Sequence, residues 1–88
     1  MKDYKKLASA LSAEFHQVDN KQMFVSGLII DENGGFYYLL KSYDAIVAIV
    51  DLVEQKFVDL GKWSTSTTRH ANLFYKKFKD NFERVMAV

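Results

Sequence analysis

The chain has 88 residues, no cysteine and a formal net charge of +1. That length suits a single domain with a thin core, read here as residues 1–88, and the missing cysteines exclude disulfides and thiolate zinc sites. Hydrophobic residues make up 49% and aromatic residues 15%, which excludes a disordered chain, and a charge so near zero does not by itself call for a polyanionic partner.

In chain order, Tyr4, Leu7, Ala8, Leu11 and Phe15 share one helical face, predicting a first helix over about residues 3–15. The same stretch has a basic start and a short apolar part, but Asp3 and the scarcity of leucine argue against a secretory signal. Polar residues 17–22 read as a linker. Residues 23–30 are rich in β-branched and aliphatic side chains. Asp31-Glu32-Asn33-Gly34-Gly35 follows, a turn signal because Asn and Gly tolerate positive φ. Residues 36–40 resume the strand pattern, so the two segments predict a hairpin. Residues 45–50, Ala-Ile-Val-Ala-Ile-Val, are short and β-branched, which favours a strand and is far too short for a membrane span. Residues 56–60 predict a fourth strand, closed by Gly61. From Thr67 the period changes. Ala71, Phe74, Phe78, Phe82 and Val85 fall at helical spacing, opposite Arg69, Asn72, Lys76, Lys79 and Glu83. On such a helix Lys76–Asp80, Lys79–Glu83 and Asp80–Arg84 are opposite-charge pairs at i, i+4. The expected architecture is therefore α+β: a four-stranded antiparallel sheet flanked by an N-terminal and a C-terminal amphipathic helix, α-β-β-β-β-α.

Chemistry concentrates in one place. Five consecutive hydroxyl residues, Ser64 to Thr68, lie between the only tryptophan, Trp63, and the pair Arg69-His70. Hydroxyl side chains compete for backbone hydrogen bonds, so the run marks a helix N-terminus, with Ser66 and Thr67 best placed as the cap. A serine–histidine nucleophile needs geometry that spacing does not supply, and capping explains the hydroxyls without it. No catalytic residue is assigned. His16 and His70 lack any metal-ligand spacing, and Gly34-Gly35 lacks a phosphate-loop pattern, so neither a metal nor a cofactor is expected. His70 is read first as a neutral imidazole bonding a carbonyl or a strand residue, and second as a ligand-binding group.

Two binding modes fit what remains. The middle of the chain is acidic (Asp44, Asp51, Glu54, Asp59) and the end basic (Lys62, Arg69, Lys76, Lys77, Lys79, Arg84). Lys76, Lys77 and Lys79 with Arg69 suit phosphates, although a sequence pI near 7.9 is low for a dedicated nucleic-acid binder. Abundant aromatic residues and open strand edges suit a protein partner or a second copy of the chain.

The segment from Ser64 to His70, followed by Phe74 and preceded by Trp63, together with Ser42, Tyr43, Val47 and Ala48, resembles a pattern S-Y-x-x-x-V-A … W-S-x-[ST]-T-[ST]-[KR]-H-x-x-x-F. It is similar to that of small uncharacterised proteins encoded by phages and plasmids of low-GC Gram-positive bacteria. Ser66 stands where the pattern more often has Thr, which keeps the hydroxyl. The resemblance covers about residues 36–78 and implies a mobile-element setting, with no activity to carry over. Small accessory proteins in that setting often bind and block a host macromolecule.

The expected function is a cytoplasmic, non-enzymatic protein that binds a host protein, an inhibitor of a defence or replication enzyme among the options. No membrane partner is expected, and homodimerisation by a helix or a sheet edge belongs to the same class. The alternative is a nucleic-acid-binding module using the basic C-terminal helix. The candidate binding residues are Trp63, Arg69, His70, Lys76, Lys77 and Lys79.

Overall fold

The structure, a computed structural model, describes residues 2–19 and 22–87. Its elements are α1 (Tyr4–Ala10), β1 (Phe15–Asp19), β2 (Met23–Ser26), β3 (Ile29–Ile30), β4 (Phe36–Ser42), β5 (Ala45–Asp51), β6 (Lys56–Asp59), α2 (Thr65–Tyr75) and β7 (Glu83–Met86). The strands form one seven-stranded sheet in the order β1-β2-β4-β5-β6-β7, with β3 also paired to β4. All pairings are antiparallel except β6–β7, which is parallel. The expected four-stranded antiparallel sheet is thus corrected to a mixed sheet of seven strands with two helices, a mostly β molecule.

The central strands are covered on both faces. On one face Met23, Leu40, Val50 and Phe57 pack with Ala71 and Phe74 of α2. On the other, Tyr37, Leu39, Ile49 and Val58 pack with Ala8 of α1. A strand buried on both sides reads as a continuous apolar run, which explains residues 45–50. Between the pairs Leu40↔Ala48 and Lys41↔Ile46 the register slips, leaving Val47 as the extra residue of a bulge. Val47 and the adjacent Ala48 both join the α2-side cluster.

Three elements depart from their sequence expectation. Helix α1 is capped by Asp3, whose side chain accepts from the Lys6 N–H at 3.1 Å. It stops at Ala10 because Leu11 turns extended. Leu11, Ala13 and Phe15 then alternate with period two and all reach the α1-side cluster, so helical spacing concealed a strand approach. The supposed linker at residues 17–22 contributes to β1; residues 20 and 21 lie outside the described residues. Residues 23–30 split into β2 and β3 around Gly27-Leu28.

The largest departure is at the end of the chain. Phe74, Phe78 and Phe82 keep helical spacing and stack edge-on, 5.2 Å between successive rings. The helix nevertheless ends at Tyr75, and turns carry Phe78 and Phe82 onto the α2-side cluster. Val85 and Ala87 then reach the opposite, α1-side cluster. A helix lying on one face of the sheet cannot feed both faces; a strand can, which is why residues 83–86 form β7.

Candidate functional site

The β4–β5 corner and the first turns of α2 meet. Ser64, rather than Ser66 or Thr67, caps α2: its Oγ accepts from the Thr67 N–H at 3.4 Å. This orientation turns Thr67, His70, Ala71 and Phe74 inward. Ser42, the last residue of β4, lies 2.7 Å through Oγ from His70 Nδ1 and 3.1 Å from Thr67 Oγ1. The exposures of Ser42, Thr67 and His70 are 2%, 7% and 3%. Tyr43 follows in the left-handed region at φ 56°, where its N–H donates to the Gln22 carbonyl and its ring tilts over the His70 ring at 5.9 Å. Ser42 and Tyr43 are thereby brought against the Ser64–His70 segment, and Val47 and Ala48 share the core cluster with Ala71 and Phe74 of the same helix. His70 points inward and bonds a strand residue. A hydroxyl beside an imidazole has the composition of a nucleophile and its base. Here both groups are closed off from solvent, and among the described residues no carboxylate bonds His70.

The other candidate residues lie outside this cluster. Trp63 is 37% exposed, with its indole folded against Gly61, where a Cβ would sit 3.3 Å from the ring. Its carbonyl accepts from Thr68 Oγ1, and its side chain borders three shallow grooves, one of them shared with Thr65, Thr68, Arg69 and Asn72. Arg69, Lys76, Lys77 and Lys79 are all exposed, and Leu73 sits among them at 39% exposure. The expected pairs to Asp80 and Glu83 do not form, because the helix ends before they can. Among the described residues the ion pairs are Lys2–Asp51 and Arg84–Asp59, so none of the four cations has an ion-pair partner there.

Two polar clusters were not foreseen. Asp51, fully buried, accepts from Lys2 Nζ and Tyr4 Oη at 2.8 Å each, and from the N–H groups of Val53 and Glu54. Lys2 also donates to Tyr37 Oη at 3.1 Å. Burial alone would raise the Asp51 carboxyl, but the bonds from Lys2, the Glu54 N–H and Tyr4 outweigh it and hold it below its ordinary value. For Lys2, burial opposes the charge, yet the bonds to Asp51 and Tyr37 raise its pKa. Burial and then the Asp51 bond raise Tyr4. An aspartate between an apolar strand and a turn is a sequence signal for backbone capping; nothing in the sequence points to Lys2. In the second cluster Arg84 grips both carboxylate oxygens of Asp59, at 2.7 and 3.0 Å, and donates to Asn72 Oδ1. Its guanidinium lies over Phe57 and Tyr75. The Asp59 bond raises the Arg84 pKa further.

Among the described residues no group of three His, Asp or Glu side chains is placed to hold a metal ion, and no helix is long and apolar enough to cross a membrane. These features define a small α+β domain whose reactive side chains are mostly spent on internal bonds and whose cations face outward. The chain belongs to a family of unknown function (DUF8033), whose pattern matches residues 11–86. The Ser42–His70 cluster falls inside that match, and Lys2 and Tyr4 fall before it. Neither a search of curated proteins nor one of solved structures finds a match.

Proposed function

We propose that this is a non-enzymatic protein that works by docking another protein on the outward face of α2. One observation carries the reading: Arg69 on α2, Lys76 at its C-cap and Lys77 and Lys79 in the turns after it are exposed with no ion-pair partner among the described residues, and Leu73 and Trp63 expose apolar side chains on and beside the same helix. Cations with exposed apolar side chains match the anatomy of a protein interface, where tryptophan and arginine carry much of the energy. The closed Ser42–His70 pair supports a non-catalytic reading, because no substrate reaches the hydroxyl. The resemblance to phage and plasmid proteins supports a host protein as the partner, in the cytoplasm, with inhibition of a defence or replication enzyme as the consequence. His70 leaves the contact set, since it is spent inside.

The exposed lysines also favour a second reading, a nucleic-acid module using Arg69, Lys76, Lys77 and Lys79. The two are separated by paired variants. Leu73→Glu with Trp63→Ala should abolish stoichiometric capture of a host protein, and the purified partner should bind the wild-type chain at least about tenfold more tightly. If duplex or single strands bind instead, Lys76→Glu with Lys79→Glu should flatten the salt dependence of binding by a slope of about 2. Retained capture by the Leu73/Trp63 variant removes the α2 face from the contact.

A further inference from the structure

A second exposed surface lies on the sheet beyond α2. Ile30 and Phe36 stand directly opposite each other at the turn end of the β3–β4 ladder. Phe36 is two residues before Tyr38 on the same strand, so both share the face that packs against Phe78, whose ring centroid is 6.2 Å from that of Tyr38. The face runs out from under the 76–82 segment: Tyr38 is half-buried, Phe36 38% exposed and Ile30 68% exposed. An isoleucine so open, paired with a phenylalanine, forms an apolar shelf that the fold itself does not cover.

The charges at the two ends of the shelf differ. On one side the chain enters the β3–β4 turn, where Asp31 and the exposed Glu32 follow Ile30 directly. On the other side lies Phe78, flanked in sequence by the exposed Lys77 and Lys79, neither of them in an ion pair among the described residues. From the turn, across the start of β4, to the 76–82 segment the order is acid, apolar, base. A two-fold axis through the shelf inverts that order, laying the acidic turn of one copy against the lysines of the other with the apolar residues between. Self-complementarity of this kind is what an isologous contact requires.

We infer that the Ile30–Phe36 shelf pairs with the same shelf of a second copy of the chain. This goes beyond the α2-face reading and rests on different apolar residues. The shelf is small, so the dimer is weak and concentration-dependent. Sedimentation velocity of the full chain over a rising concentration series tests it. The mass should climb from monomer towards dimer, and Ile30→Lys should hold the chain monomeric with an unchanged circular dichroism spectrum. Glu32→Lys alone, and Lys77→Glu with Lys79→Glu alone, should each weaken association. The chain carrying all three changes has its charges exchanged and should associate more tightly than either parent. A wild type monomeric throughout, an Ile30→Lys chain that still dimerises, or an exchanged chain no tighter than its parents overturns the inference. So does loss of self-association in Arg69→Glu with Leu73→Glu, which belongs to the α2 face alone.

Discussion

Ser42 and His70 show how a reactive pair of residue types becomes a rivet. The strand ends on Ser42, the helix presents Thr67 and His70 on its inner face, and one hydroxyl serves both. Ser42→Ala leaves the Thr67 hydroxyl and His70 Nδ1 each short of a buried partner, so we expect a loss of about 1–3 kcal/mol in urea unfolding. Asp51 makes a pH-dependent contribution. Its carboxyl is depressed in the fold, so its stabilisation is complete above the ordinary aspartate value of about 3.9 and is lost as pH falls through the lower folded value. Asp51→Asn should therefore be about 1–2 kcal/mol less stable than the wild type at neutral pH. That gap should close as urea titrations move below pH ~4. Lys2 and Tyr4 act at the other end. Both are raised, so their contribution is intact below their ordinary values near pH ~10 and fades as pH rises through the higher folded ones.

At the scale of elements, the hydrophobic spacing identified most segments but not their partners. The turn at Asp31–Gly35 and the strands near residues 36–40, 45–50 and 56–60 were legible because turn residues and β-branched runs are local signals. Residues 11–15 and 76–86 were not. Leu11 and Phe15 satisfy helical and strand periods equally when Ala13 between them is also apolar, and Phe74–Phe78–Phe82 holds a helical period through turns. What decided both was which face of the sheet each side chain had to reach, a tertiary fact. Arg84 then fixes β7 in place through Asp59, Asn72 and two aromatic rings. Lysine cannot reproduce that fork or stack, so Arg84→Lys should cost about 1–2 kcal/mol and speed hydrogen exchange in β7 ahead of β5.

For the whole molecule, stability should be graded from the centre outward. Beyond their first residues, Phe36 and Ala45, strands β4 and β5 are packed on both faces, whereas β1 and β7 form the open edges of the sheet. Native-state hydrogen exchange should accordingly place the slowest amides in β4 and β5, with α1, a helix of seven residues that cannot hold alone, opening earlier. The candidate site was legible in part. The sequence marked Trp63, Arg69 and the three lysines by composition, and they do lie outside. It gave no sign that His70 would be consumed by Ser42, because that contact joins residues 28 positions apart. Nor did it reveal the Ile30–Phe36 shelf, since an exposed apolar pair on a strand has the same letters as a buried one.

Trp63 gives the protein an optical channel of its own. It is the only indole in the chain, lies half open against Gly61 at the entrance to α2, and belongs to a different corner from Ile30 and Phe36. Its emission is a local gauge of wetting there. A macromolecule settling on α2 should shift the emission to the blue and shield it from iodide quenching. Self-association through the shelf should leave colour and quenching unchanged while slowing the decay of fluorescence anisotropy. A single unlabelled sample, read in steady-state and time-resolved modes, can thus tell the two surfaces apart.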